Sequence, residues 1–422
     1  MRAYARLVRE NANFRRLWSA QIISEIGDWF YSLAVYSLIL DLTGSARLVG
    51  LAVVVQVLPQ TLVAPTAGLV NDRLSRKRVM IAADVARVAI VLGMLLVRTR
   101  EMVWLIYPLL FLETLGWAFF EPGRSAVIPA IVRPDEIILA NTLSSTTWSF
   151  CLAAGSAIGG AVAALLGRDA VFILNALSFL GSAALLRGMR FEEPHADVAG
   201  PMRARDLVDF SPILEGVRYV RRDPRLFAMI FIKGGLGFLG ANLVLLPLLG
   251  ERIFPLRLAG AGGPRGAMLG MSVLMGARGL GAMLGPLCAV PWAGQRDAAM
   301  RKGILFGFLA IFLGYLVLSA APFLWLACLA LIVAHGGGSI VWVFSSTLLQ
   351  KNTEDKFRGR VFSADLGLNT MMVSLTSYLA GVFIDAGVPV RRYALYTGIS
   401  LLAPACAWLL AMRLWAPRVR RG

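Results

Sequence analysis

Twelve apolar runs, each about as long as a bilayer is thick, leave this 422-residue chain little freedom in how it folds. A helix needs roughly 17–25 residues to cross the hydrocarbon layer. Lipid offers no hydrogen-bond partners, so a spanning backbone must satisfy itself, and runs of this length do so as helices. The first six spans read as Phe14–Leu42, Leu48–Val70, Val79–Val97, Val103–Phe120, Ile138–Leu166 and Ala170–Leu186. The second six are Leu226–Leu249, Ala267–Val290, Ile304–Ala320, Phe323–Leu348, Val361–Ala386 and Tyr393–Trp415. The longest polar stretch, Arg187–Arg225, lies between the two sets. The chain therefore divides into an N-terminal half at 1–186, a linker at 187–225 and a C-terminal half at 226–422.

Composition agrees with an all-α membrane protein. The chain is 58% hydrophobic and 16% charged, where soluble proteins run about 45–50% and about 25%. A net charge of +17 would suit a nucleic-acid partner. The cations gather at span ends instead, as membrane topology requires. With both termini on one side, 30 of the 42 Lys and Arg fall on that side and 9 on the other, with Arg87, Lys233 and Arg278 inside spans. Cationic loops resist translocation, so both termini, the linker and the other richer loops are expected in the cytoplasm. We expect no cleavable signal peptide, because the first basic segment runs into a span too long and too polar for one. Cys151, Cys288, Cys328 and Cys406 lie far apart within spans and read as small packing residues. The absence of a phosphate-binding Walker loop sets ATP aside as the driving force. Two histidines, His195 and His335, cannot assemble a metal set or a Ser-His-Asp constellation. Neither a metal, a cofactor nor an enzymatic reaction is expected.

Charges inside spans carry the functional expectation. On insertion scales each costs at least ~2.5–3.5 kcal/mol, so each is a candidate by default. Gln21, Glu25, Asp28 and Ser32 recur at i, i+4, i+7 and i+11 of span 1, which puts them on one helical face. Asp28 lies midway along that span, and Glu113 is its counterpart in span 4. Asp28, Glu25 and Glu113 are the proton-coupling candidates, with Lys233 in span 7 and Arg278 in span 8 as the cations available to pair with them. The alternative is a buried ion pair that only holds the halves together. Asp84 and Arg87, at i and i+3, read as a local pair or a brace for the neighbouring loop. His335 reads as a packing residue, and the Gly336-Gly337-Gly338 after it as a place where span 10 bends. The aromatics Trp29, Tyr31, Tyr36, Trp117, Phe119, Phe238, Trp342 and Phe344 read mostly as core or interface belt, and in part as the lining for a bulky amphipathic solute. In the linker, Pro212–Val220 reads as a short amphipathic helix on the inner leaflet, or as a plain tether.

Between spans 2 and 3 runs Gly68-Leu-Val-Asn-Asp72-Arg73-Leu-Ser75-Arg76-Lys77-Arg78. A glycine near a helix end permits a turn or close packing, and an acid there can meet a neighbouring helix N-terminus. This stretch resembles the loop signature of the major facilitator superfamily, Gly-x-x-x-Asp-Arg-x-Gly-Arg-Arg/Lys, with Ser75 where the family has Gly. The halves echo one another, with Arg358-Gly359-Arg360 after span 10 answering Arg124 to Pro129 after span 4. The resemblance implies two pseudo-symmetric six-helix halves and a conformational gate of Gly68, Asp72, Arg73, Arg76, Arg78, Glu121, Arg358, Gly359 and Arg360. In that gate Asp72 would brace the start of span 11 near Arg358–Val361, and Glu121 would pair with Arg76. Gly155-Ser156-Ala-Ile-Gly159-Gly160 resembles the antiporter motif Gly-Pro-x-x-Gly-Gly, although small residues pack helices closely in any bundle.

Further stretches resemble the efflux branch that holds bacterial siderophore exporters and macrolide efflux pumps. These are Asn13–Trp18, Ser24–Trp29, Leu42–Ala46, Asp84–Arg87, Phe120–Ala126 and Arg358–Val361. The resemblance implies a monomeric transporter of the bacterial inner membrane, exporting a hydrophobic or amphipathic small molecule against protons. A lipid or lysophospholipid transporter of the same superfamily and a non-transporting scaffold or sensor are the alternatives.

Overall fold

The computed structural model describes residues 2–193, 211–256, 264–294 and 296–415. His195 and the central part of the linker lie outside them. A short amphipathic helix, α1 (Arg2–Glu10), leads into α2 (Ala12–Thr43), which is span 1. Asn11 caps α2 by accepting from the Phe14 amide at 2.9 Å, and Gly44 ends it in the left-handed conformation at φ 66°. Both are expected devices at helix ends. Then follow α3 (Ala46–Arg73), α4 (Arg76–Gly93), α5 (Ile106–Ile131), α6 (Ile137–Leu166) and α7 (Arg168–Arg187).

The linker contributes α8 (Ser211–Arg221). Span 7 is α9 (Pro224–Leu236), a tight turn over Gly237–Ala241, and α10 (Asn242–Arg252). The remaining spans are α11 (Pro264–Ala293), α12 (Asp297–Ala320), α13 (Leu324–Asn352) and α14 (Asp355–Asp385), then α15 (Val390–Ser400) with α16 (Leu402–Ala411). Eleven of the twelve spans qualify on length and hydropathy alone. Span 1 does not, because its polar face carries charge.

Packing divides the chain into two compact units, residues 1–209 with 246–276, and 210–245 with 277–422. In the first, α2 packs on α6 and α7, α4 on α5 and α7, and α3 on α5. In the second, α9 packs on α14 and α16, α12 on α13, α15 and α16, and α11 meets α13 where Gly281 and Gly285 approach Ile332 and Gly336. Span by span the pairing is the same, so the internal repeat heard in the sequence is present in the packing. The segment 246–276 clusters with the N-terminal helices because Arg252 donates to the Gly44 carbonyl at 2.8 Å and Gly160 of α6 seats Ser272 of α11.

α13 runs as one continuous helix through Gly336, Gly337 and Gly338. Gly336 and Gly337 are where it approaches α11 and α12, with the Gly307 carbonyl against Gly337. Removing side chains there lets backbones meet, the usual use of small residues between membrane helices.

Candidate functional site

The buried stripe of α4 runs Met80, Ala83, Asp84, Arg87, Val91, the i, i+3, i+4, i+7 pattern of a core-facing helix. Two ionised residues thus sit where apolar ones are expected. Arg87 is 1% exposed and is the hub of the first unit. Its Nη2 donates to both oxygens of Asp28 on α2 at 2.8 Å and to Glu113 Oε1 on α5 at 2.6 Å. Its Nε donates to the same Glu113 oxygen at 3.0 Å, and Asp84 stands 3.7 Å from Nη1. The Phe179 ring of α7 lies 3.9 Å beneath the guanidinium. Gly116 of α5 makes room for the stem, since a Cβ there would come within 2.6 Å of Arg87 Cγ.

One guanidinium facing three carboxylates leaves a net charge of −2 if all are ionised. Apolar surroundings oppose that excess strongly. The side chains of Asp84 and Glu113 are 0% and 10% exposed, and that of Asp28 is 25% exposed. Asp28 is therefore the member through which the cluster meets its surroundings.

A second cluster lies one to two turns toward the N-terminal end of α2. Arg124 of α5 pairs with Glu121 and donates to Gln21 Oε1 at 3.2 Å. The Gln21 amide passes the link on to Glu25 Oε1 at 2.9 Å and also holds the Ser144 carbonyl of α6 at 3.1 Å. The other Glu25 oxygen is buried with no hydrogen-bond partner among the described residues. Gln21, Glu25 and Asp28 therefore do share a face of α2, each engaged by α5 or α4. Ser32 lies beyond them and bonds its own helix at the Asp28 carbonyl, 2.9 Å away. The α6 motif packs on the neighbouring face of α2. A Cβ at Gly155 would stand 2.8 Å from the Ile26 carbonyl oxygen and one at Gly159 would collide with Phe30, while Gly160 seats Ser272 of α11 and Ser156 is buried beside them. Close packing is what these residues do here.

Three sequence pairings need correction. Asp28 and Glu113 take Arg87, which the sequence reading gave to a local pair with Asp84 or to a brace for the neighbouring loop. Lys233 pairs with Asp365 of α14 at 2.5 Å, both 3% exposed or less, beneath the Trp342 ring at 4.2 Å. Glu121 pairs with Arg124 rather than Arg76, because α5 continues to Ile131 and carries Arg124 inward.

The hairpin at 68–78 is built from backbone ties. Arg76 donates to the carbonyls of Asn71 and Ala126 at 3.2 and 3.1 Å, with Asp72 3.5 Å away. Lys77 Nζ donates to the Met189 carbonyl at 2.7 Å. Ser75 caps α4, accepting from the Arg78 amide at 3.3 Å while its hydroxyl donates to Glu193. Serine in place of glycine thus gains a cap and an anchor. Asp72 is 72% exposed and Arg78 is exposed. Gly68 lies within α3, not at its end, and no atom of the described residues stands within 4 Å of where its Cβ would be, so neither a turn nor close packing among them explains it. Gly359 is equally open, between Arg358 and Arg360 in the first turns of α14.

The described residues form an all-helical multi-pass protein with ion clusters along the face of its first span, and the family and relatives it matches are membrane transporters of small molecules, not enzymes. The chain belongs to the family described as transmembrane secretion effectors, within the major facilitator superfamily, whose model matches residues 3–417. It is 21% identical to macrolide efflux protein A of Streptococcus pyogenes over 400 residues, 93% of this chain and 94% of that one. In fold it is similar to a nucleoside transporter, NupG, with TM-score 0.71 and 12% identity over 95% of this chain and 99% of that one. It is similar also to a bacterial homologue of the human lysosomal transporter Spinster, with TM-score 0.71 and 15% identity over 96% and 99%.

Proposed function

We propose that this protein is a proton-coupled exporter of a hydrophobic or amphipathic small molecule in the bacterial cytoplasmic membrane, with both termini inside. Its six-helix halves, 1–186 and 226–422, are joined by the linker at 187–225. The observation that carries the reading is Arg87 shared among Asp28, Glu113 and Asp84. A proton on Asp28 removes one excess negative charge and weakens the bidentate hold on Arg87. The guanidinium then rests on Glu113 and Asp84, and the proton affinity of Asp28 depends on whether Arg87 faces it. Coupling needs one group of this kind, whose proton affinity differs between two states. Glu25 stands second, linked through Gln21 to Arg124. Efflux as the direction rests on the macrolide efflux relative.

The test is substrate-dependent proton movement. Everted vesicles carrying the protein and a fluorescent pH probe are energised, and a macrolide is added. The reading expects the pH gradient to fall on addition, with no fall in vesicles lacking the protein. Transport without proton movement would overturn the coupling and leave the transporter.

A further inference from the structure

The linker helix α8 has two faces of different chemistry. Glu215, Gly216, Tyr219 and Val220 turn toward the start of α14, where Arg360 pairs with Glu215 at 2.5 Å. There Tyr219 stacks on Phe357 at 4.3 Å, and Gly216 abuts the Arg360 carbonyl so closely that no Cβ would fit. The opposite face holds Leu214, Val217, Arg218, Arg221 and Arg222, at i, i+3, i+4, i+7 and i+8, the spacing of one helical stripe. Leu214 and Val217 are 56% and 39% exposed, and the three arginines are exposed.

No acid among the described residues shares that stripe. Glu215 is taken by Arg360, and Asp223 caps α9 through the Arg225 amide at 2.8 Å. None of the three arginines has an ion pair among the described residues. Position along the chain sets the depth. The helix ends at Arg221 and a membrane span starts at Pro224, so α8 lies at the bilayer surface. Exposed Phe227 and Phe231, stacked at 6.2 Å, open that span. Aliphatic side chains between guanidiniums at this depth fit an interface of acyl chains below and phosphates above.

We propose that the outward face of α8 binds the headgroups of anionic phospholipids, with Arg218, Arg221 and Arg222 on the phosphates and Leu214 and Val217 in the acyl boundary. Through Glu215, Gly216 and Tyr219 the bound lipid then steadies the Arg358-Gly359-Arg360 turn. The site stands on its own geometry and does not depend on how the carboxylates of α2 and α5 are used.

The experiment uses the full chain, released from nanodiscs of mixed phosphatidylglycerol and phosphatidylcholine and weighed by native mass spectrometry. Wild-type protein should retain phosphatidylglycerol in preference to phosphatidylcholine. The triple variant Arg218→Gln, Arg221→Gln, Arg222→Gln should lose that preference at least about fivefold, the factor one arginine contributes at a charged bilayer surface. Arg391→Gln with Arg392→Gln, at the other end of the bundle, should leave it unchanged. Equal retention by wild type and triple variant would overturn the site, and so would displacement of the lipid by excess inorganic phosphate, which would mark an ion site only. If the triple variant expresses poorly, Glu215→Gln serves in its place. It leaves the stripe intact and frees Arg360, so retention should rise, and a fall would contradict the proposal.

Discussion

At the scale of single residues, two glycines separate packing from signature. A methyl group at Gly116 would collide with the Arg87 stem at 2.6 and 2.8 Å, whereas one at Gly68 meets none of the described residues within 4 Å. Gly116→Ala should therefore cost about 1–3 kcal/mol and lower transport by displacing Arg87, while Gly68→Ala should leave the thermal midpoint of the purified protein unchanged. A Gly68→Ala variant melting as low as Gly116→Ala would contradict the packing described. Arg87→Gln leaves three acids without their cation and should cost about 3–5 kcal/mol, the usual penalty for breaking a buried pair. Arg87→Gln combined with Asp28→Asn should regain part of the loss in the same melting assay; no regain would mean the two do not interact. The sequence named Asp28, Glu25 and Glu113 but not their cations. Arg87 stands three residues from Asp84, and a local pair satisfied the spacing. That α2, α4 and α5 converge on it is a property of packing, which linear spacing does not encode. One signal was available: Asp84 and Arg87 occupy an apolar stripe, and a charge in such a stripe must find partners from other helices. Asp365 was missed as well, because the reading of span 11 rested on Arg358–Val361 and did not weigh the acid four residues further on.

At the scale of elements, apolar length and periodicity located every span, because a bilayer imposes one helix per run. The ends were less legible. The sequence reading ends span 4 at Phe120, yet α5 continues through Pro122 and Pro129 to Ile131. Asn71 donates to the Phe119 carbonyl at 2.9 Å and Arg76 to that of Ala126 at 3.1 Å, each three residues before a proline, so side chains from outside the helix support it where proline weakens the ladder, as membrane helices permit. That one extension moved Arg124 from a loop to a buried position and changed the partner of Glu121. Ser75 was read as a departure from the family pattern, and its capping role needs the α4 geometry to be seen. Ser75→Ala should cost about 1 kcal/mol and Ser75→Gly only ~0.3 kcal/mol. Limited proteolysis of the purified protein reads this out, with faster cutting of the 71–79 hairpin in Ser75→Ala. Equal cutting in both variants and wild type would remove the cap from the account.

At the scale of the whole molecule, the fold class was legible because twelve spans, a charge bias of 30 to 9 and an internal repeat all demand the same architecture. The bias carries a topology prediction. With the native cysteines replaced, Arg78→Cys should react with an impermeant maleimide in everted vesicles and not in intact cells, and Arg100→Cys the reverse. Labelling of Arg78→Cys from outside would invert the orientation.

The central claim is that Asp28 exchanges the coupling proton against Arg87. It is tested most directly by comparing two modes of transport in one reconstituted preparation of Asp28→Asn. The amide keeps the size of the side chain but cannot take up and release the proton. The account predicts that Asp28→Asn loses substrate accumulation driven by an imposed pH gradient, while downhill substrate exchange continues and ceases to vary with pH. Gradient-driven accumulation by Asp28→Asn at the wild-type rate and with the wild-type pH dependence would contradict it.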